Sequence, residues 1–245
     1  MRSPPVPRDG VPQDAVVVFD LDGTVLAVNS FPLWAMAMIR GRFPGLPLWR
    51  RAMVSGLAIR ALMARKAGMI SHETLKWRLQ RLWQDSSRGD NGAAERDFAD
   101  HVARFVRPEL AAVLAAVASG RIEGVLATAA AADYAETLGR TLGFRHVLAT
   151  PRLREEGSPS TVGVRKRDAV LSYLDRRGWG GRPIVFFTDH AEDLPLILRS
   201  HTVYWFGKEE ERRVMASRLA PQGITLLPGA RGGEIVSRVG MGAGS

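Results

Sequence analysis

Cysteine is absent from this 245-residue chain, so disulfides, thiolate metal sites and cysteine nucleophiles are excluded and the redox state of the compartment is immaterial. Histidine is scarce, with five residues and no metal-ligand spacing among them. Long apolar runs are missing as well. The longest uncharged stretch, Gly23 to Ile39, is broken by Asn29, Ser30 and Pro32 and falls short of the roughly 18 apolar residues that mark a membrane span. Residues 1–13 hold four prolines and no apolar segment of the kind a secretory signal carries, so they read as a flexible leader and the expected location is cytoplasmic. What is present is an apolar content of 46%, enough for one large domain or a core domain with an insert.

Acid is nearly missing from one segment. The chain carries 34 Lys and Arg against 25 Asp and Glu. Between Met38 and Trp83 stand ten basic residues (Arg40, Arg42, Arg50, Arg51, Arg60, Arg65, Lys66, Lys76, Arg78 and Arg81) and one acid, Glu73. Taking those ten and one from 34 and 25 leaves 24 of each sign, so this segment supplies the whole net charge of +9. The basicity belongs to one surface.

The periodicity changes along the chain. Val16 to Phe19 is an apolar, β-branched run that reads as a buried strand, and it ends in the acidic turn Asp20-Leu21-Asp22-Gly23-Thr24. Helices are expected at 33–42 and 48–67, with a break at Pro44 and Pro47, and a third opens at Ser71, an N-cap with Glu73 in its first turn. Residues 85–91 read as a loop, and Pro108 opens a helix that Gly120 stops. From Ile122 onward strands (122–128, 146–149, 183–188, 203–206, 224–227) alternate with helical stretches, which implies an α/β fold with a parallel sheet covered on both faces. In such sheets ligands bind beyond the carboxyl ends of the strands, so Asp20 and Asp22 arrive at a site.

Four short motifs stand in order between Val16 and Leu198: Asp20-Leu21-Asp22-Gly23-Thr24; Val125-Leu126-Ala127-Thr128; Lys166 at a helix start; and Phe186-Phe187-Thr188-Asp189 followed by Asp193. With them the chain resembles the haloacid dehalogenase superfamily, and within it the branch of the phosphoserine phosphatases. The resemblance implies a Rossmann-like core with an inserted α-helical cap, and magnesium-dependent hydrolysis of a phosphomonoester through an aspartyl-phosphate. Asp20 would be the nucleophile, and Asp22 the acid that protonates the leaving group and then the base that activates water. Thr128 and Lys166 would bind the phosphate. Mg²⁺ would be held by Asp20, Asp189 and the main-chain carbonyl of Asp22. Asp193 would orient Lys166 or complete the outer shell of the metal, and Arg78 would reach the substrate from the cap. An acid at position 22 speaks for phosphatase or phosphomutase chemistry within the superfamily.

Taken singly, these residues have plainer readings: a loop acid pair at Asp20 and Asp22, a helix N-cap at Thr128, a solvated lysine at 166 and a helix cap at Asp189. Glu192 reads as an exposed acid at a helix start. The sequence also departs from the family pattern. Thr188 and His190 stand where small residues are usual, and Ala27-Val28-Asn29-Ser30 replaces the stretch in which phosphoserine enzymes carry a glutamate for the substrate amine.

Asp20 and Thr128 are 108 positions apart, far more than one crossover helix needs. The expected division is a core of 14–29 and 107–230, a helical cap of 30–106 and a flexible tail of 231–245. Three accounts of the basic cap stay open: a solvated surface, a pocket for an anionic substrate, or contact with anionic membrane through an Arg-rich, Trp-bearing face. The expected partner is a phosphorylated small molecule. No nucleic acid is expected, since no binding module is recognisable. A phosphomutase is the alternative among enzymes, and a non-catalytic basic binding protein the alternative outside them.

Overall fold

A computed structural model describes residue 12 and residues 14–152 and 155–236; the expected leader of residues 1–13, Pro12 apart, lies outside them. Six parallel strands form one sheet in the order β3-β2-β1-β4-β5-β6. They are β1 (Val16–Phe19), β2 (Gly124–Ala131), β3 (His146–Thr150), β4 (Ile184–Thr188), β5 (Thr202–Trp205) and β6 (Thr225–Pro228). Every residue of β1 and β4 is buried, as expected of strands covered on both faces. The two-residue alternation of strand side chains then sorts the core. Val17, Phe19, Leu126, Val185 and Phe187 face one layer, while Val16, Val18, Val125, Phe186 and Val203 face the other.

Helices α1 (Ser30–Ile39), α2 (Leu48–Lys66), α3 (His72–Ser87) and α4 (Ala93–Ala103) follow the β1 turn. The chain continues through α5 (Ala111–Ala118), α6 (Ala132–Thr141), α7 (Val164–Arg176), the short α8 (Leu194–Ile197) and α9 (Glu209–Leu219). Side chains of α5 and α6 join the first layer, and those of α7, α8 and α9 the second. Local chemistry starts the inserted helices. The Asn29 side chain accepts from Phe31 N–H at 2.9 Å, and Ser71 Oγ accepts from Thr74 N–H at 3.0 Å. Trp34 and Trp83 are buried against each other at 5.6 Å between ring centroids, and Trp34 also meets Tyr134 of α6 at 5.3 Å. Through these aromatics the interior of α1–α4 is continuous with the first core layer.

Three expectations about boundaries are corrected. Helix α3 continues to Ser87, into the expected loop, with the hydroxyls of Ser86 and Ser87 folded back onto the carbonyls of Leu82 and Trp83 at 2.6 and 2.9 Å, so that they do not compete for backbone groups outside the helix. Strand β2 runs to Ala131, past Thr128, with an irregular register against β3 between Ala127 and Ala131. Finally, packing does not stop at residue 230. Gly232 passes so close to Phe187 that a Cβ would collide with it, Ile235 is fully buried and Val236 packs against the core, so these residues of the expected tail belong to the folded body; residues 237–245 lie outside the described residues. Glycine richness there permits close packing as readily as mobility.

Candidate active site

The strand order reverses direction between β1 and β4, and such a switch point leaves a crevice beyond the strand ends. Asp20 follows β1 and Asp189 follows β4, so parallel pairing of these two strands brings the carboxylates to the same end of the crevice. Asp20 N–H is held by Phe187 C=O of β4 at 2.9 Å. The turn after Asp20 requires glycine. Gly23 sits at φ +73°, and a Cβ there would run into the Asp189 carboxylate. Thr24 Oγ1 donates to Asp189 Oδ1 at 3.2 Å and ties the same turn to β4.

Lys166, in the first turn of α7, links both sides of the crevice. Its Nζ lies 2.8 Å from Asp20 Oδ1 and 2.8 Å from Asp193 Oδ1. Asp193 in turn accepts from Thr188 Oγ1 at 2.7 Å. Lys166 is 3% exposed and Asp193 2%, so this is a buried charged network and not a solvated lysine. Asp22 is fixed from the cap side: its Oδ1 accepts from Ser30 N–H at 2.7 Å at the start of α1, and Ser30 Oγ shares a 2.8 Å hydrogen bond with Tyr134 Oη. Thr128 is buried within β2 and its Oγ1 accepts from Ala130 N–H at 3.0 Å, so it is not the N-cap of α6, which begins at Ala132.

Asp20, Asp22, Thr128, Lys166, Asp189 and Asp193 all line one cavity of about 660 Å³. Arg78 does not. It is exposed and paired with Glu156 at 3.5 Å, and this corrects the expectation that it reaches substrate. The cap wall is made instead by Phe31 and Trp34 of α1 and by His72, Lys76 and Gln80 of α3. These α3 residues are spaced by four and share a face, whereas Arg78 lies about 200° around the helix from Lys76. That spacing was the signal in the sequence for the pocket-facing side of α3. Tyr134 had no such signal, because its partner Ser30 is remote in sequence.

The departures from the family pattern also have places. Thr188 is engaged with Asp193, and Asn29 caps α1. His190 lines the cavity and its Nδ1 accepts from Glu192 N–H at 3.2 Å, while Glu192 is exposed. A second polar cluster joins α3 to the core: Gln80 and Gln84 each donate to buried Asp133 at 2.8 Å, and also to the carbonyls of Pro151 and Arg152 at 3.1 and 3.0 Å. Arg152 then reaches Glu95 of α4 at 2.8 Å and Glu136 of α6 at 3.2 Å.

Burial sets the electrostatics. It raises Asp20 to about 7 against the opposing pull of Lys166, and it raises Asp22 and Asp189 too. Burial alone would lower Lys166, but Asp20 and Asp193 override it and keep the lysine charged. Four aspartates and exposed Glu192 therefore line the cavity with only two ammonium groups, buried Lys166 and half-buried Lys76 of the cap wall. An anionic phosphate needs more positive charge than this. Among the described residues no group of three or more His, Cys, Asp and Glu side chains is arranged as a metal cage. Magnesium does not need one, since it commonly takes one or two carboxylates and completes its shell with carbonyl, water and phosphate oxygens. Asp20 and Asp189, with the close approach that Gly23 permits, are a hard-oxygen pair of that kind.

Comparison with known proteins follows the same lines. The profile of the haloacid dehalogenase-like hydrolases matches residues 17–198. No curated protein matches the sequence. Among solved structures, a protein of unknown function from Bordetella pertussis Tohama I superposes with a TM-score of 0.65 at 18% identity, covering 87% of this chain and 97% of its own. A probable phosphoserine phosphatase from Vibrio cholerae gives 0.56 at 13% identity over 95% of this chain and 67% of that one. A substrate-bound phosphoserine phosphatase gives 0.50 at 11% identity, with 91% and 97% covered. At these identities the likeness is one of fold. The matched profile spans most of the chain and includes all four motifs, and the chain belongs to the haloacid dehalogenase-like hydrolases, with a fold of the phosphoserine phosphatase kind.

Proposed function

We propose that the protein is a magnesium-dependent phosphomonoester hydrolase in which Asp20 forms an aspartyl-phosphate. The observation that carries this reading is the convergence on one cavity of Asp20, Asp22 and Asp189 with Lys166, which is itself clamped by Asp193. The Asp20 carboxylate attacks phosphorus and the bond to the leaving oxygen breaks, while Asp22 gives that oxygen a proton. Asp22 then takes a proton from a water that attacks the phosphoryl group, which releases inorganic phosphate and restores Asp20. The Ser30 N–H that holds Asp22 at 2.7 Å fixes the acid on the cap side of the crevice, apart from the Lys166–Asp20 pair. Lys166 and Thr128 bind phosphate oxygens, and the charge of Lys166 favours the ionised form of Asp20 against the burial that raises it. Mg²⁺ held by Asp20, Asp189 and the Asp22 carbonyl would supply the missing positive charge. The helices α1 and α3 wall the cavity and limit the entry of water.

The substrate is a phosphorylated small molecule. Asn29 is used as a helix cap and no glutamate occupies the stretch 27–30, which argues against recognition of the phosphoserine amine. The test is a pair of variants assayed with phosphate esters of differing leaving groups. Asp20→Asn should abolish turnover of every ester with the fold retained by circular dichroism. Asp22→Asn should cost on the order of 10²–10⁴ with an alkyl ester and far less with a nitrophenyl ester, whose leaving group needs little acid. Turnover by Asp20→Asn at the wild-type rate would reject the reading.

A further inference from the structure

Helix α2 buries Val54, Ala58 and Ala61 on the side that packs against α1 and α3. Its opposite side is apolar as well. Leu48 and Trp49 are 81% and 68% exposed, and Met53, Leu57, Ile59 and Met63 are exposed with them. At about 100° per residue these six spread over roughly half of the helix circumference, where a surface helix ordinarily presents polar residues. They are six of the twelve exposed large apolar side chains among the described residues, and exposed Met69 lies just beyond the helix. The charges on α2 have one sign. Arg50, Arg60, Arg65 and Lys66 are exposed, and the helix contains no acid. Arg51 is set aside, because its guanidinium holds the carbonyls of Leu46 and Pro44 at 2.7 and 2.9 Å, and so is Arg65, which shares the helix azimuth of buried Ala58 and Ala61.

We propose that the outward face of α2 docks on an anionic lipid bilayer, with the helix lying in the plane of the surface. The apolar side chains enter the boundary between headgroups and acyl chains, and Arg50, Arg60 and Lys66 meet lipid phosphates. Trp49 suits this boundary with its amphipathic ring, over which Arg50 sits at 5.9 Å from the centroid. The helix lies on the surface and does not cross it, since among the described residues no helix is long and apolar enough to span a membrane. Charge complementarity decides between the bilayer and a second copy of the chain. A two-fold contact would set this face against itself and press three exposed cations per copy together with no α2 acid to neutralise them. The docking is independent of the hydrolase reading, although α2 packs directly on the helices that wall the cavity.

The test is sedimentation of the full chain with vesicles of phosphatidylglycerol and phosphatidylcholine, against vesicles of phosphatidylcholine alone. Wild-type protein should pellet with the anionic vesicles at about 0.01 M salt and be released toward 1 M, as the screening length falls from about 30 Å to 3 Å. Arg50→Gln, Arg60→Gln and Lys66→Gln combined should weaken binding on the order of a hundredfold. Leu48→Ser, Trp49→Ser and Met53→Ser combined should weaken it by roughly tenfold or more, since apolar burial is lost. Both variants change exposed residues and should retain the wild-type melting temperature. Wild-type protein that stays in the supernatant with anionic vesicles at low salt overturns the proposal. So does equal pelleting by the charge variant, and so does lipid-free dimerisation that the Ser variant abolishes, which would assign the face to a second copy.

Discussion

The floor of the cavity and the outer face of α2 both concentrate charge, and they do so in opposite surroundings. At the strand ends, Lys166, Asp20 and Asp193 are withdrawn from water and held at 2.8 Å by one another. Along α2, Arg50, Arg60 and Lys66 stand in solvent beside exposed apolar side chains. A buried charge network is costly to break because each remaining charge loses its compensation, while an exposed charge is screened and its removal changes little in the fold. The cavity should therefore register substitutions as lost stability or lost chemistry, and the cap surface only as altered contact with what lies outside.

Lys166→Met is the severest way to break this contrast. It leaves Asp20 and Asp193 facing each other without their shared cation, and removing one partner of a buried pair costs about 3–5 kcal/mol. Denaturant unfolding should show a loss of that size along with lost turnover. A stability within 1 kcal/mol of wild type would mean that water reaches the network freely. Next comes Asp189→Ala. If Asp189 holds magnesium, turnover should fall on the order of a hundredfold or more, with a matching rise in the magnesium concentration required. Wild-type activity that survives excess chelator would remove the metal from the mechanism.

How much of this was legible in the sequence depends on how local each signal is. The alternation of apolar runs and helices located all six strands: the fully buried β1, β4 and β5 read as mostly apolar segments, and the half-buried edge strands β3 and β6 are short runs between helices. The residues from the four motifs share one cavity because each stands at or near a strand end or opens a helix beside it. Arg78 was misplaced because its residue type suited the role while its helical phase did not. The junction of Gln80 and Gln84 with Asp133 had no signature at all. Its partners lie about fifty positions apart and only the packing of α3 on α6 brings them together. The exposed face of α2 was legible only in part: the segment's arginines and tryptophans suggest a surface for anionic membrane among three accounts, and only the structure shows which side of the helix is left exposed.

That junction sits between the two extremes, since it belongs to the cap yet is buried. Asp133→Asn keeps the shape but turns one acceptor oxygen into an amide donor facing the amide of Gln80 or Gln84. An unsatisfied buried polar group costs about 1–3 kcal/mol, so a melting temperature lowered by several degrees is expected, with faster amide exchange in α3. Unchanged exchange in α3 would show that the aromatic cluster around Trp34 and Trp83 holds the cap without this junction.

The smallest effect belongs to Arg78, and it separates the two faces of a single helix. Its ion pair with Glu156 is 3.5 Å long with both side chains more than 40% exposed, so Arg78→Ala should change stability by less than about 0.5 kcal/mol. Turnover should stay within roughly twofold, because the guanidinium lies off the cavity wall. Lys76→Gln on the facing side should behave differently. Its Nζ bonds to Ser160 Oγ at 3.2 Å and lies 5.9 Å from the Phe31 ring centroid, so the substitution removes a cation from the wall itself. A raised KM is expected for an anionic ester, with kcat less affected, because an interaction made equally in the ground and transition states acts on binding. If Arg78→Ala raised KM and Lys76→Gln did not, α3 would have to present its other face to substrate, and the assignment of the cap wall would fail.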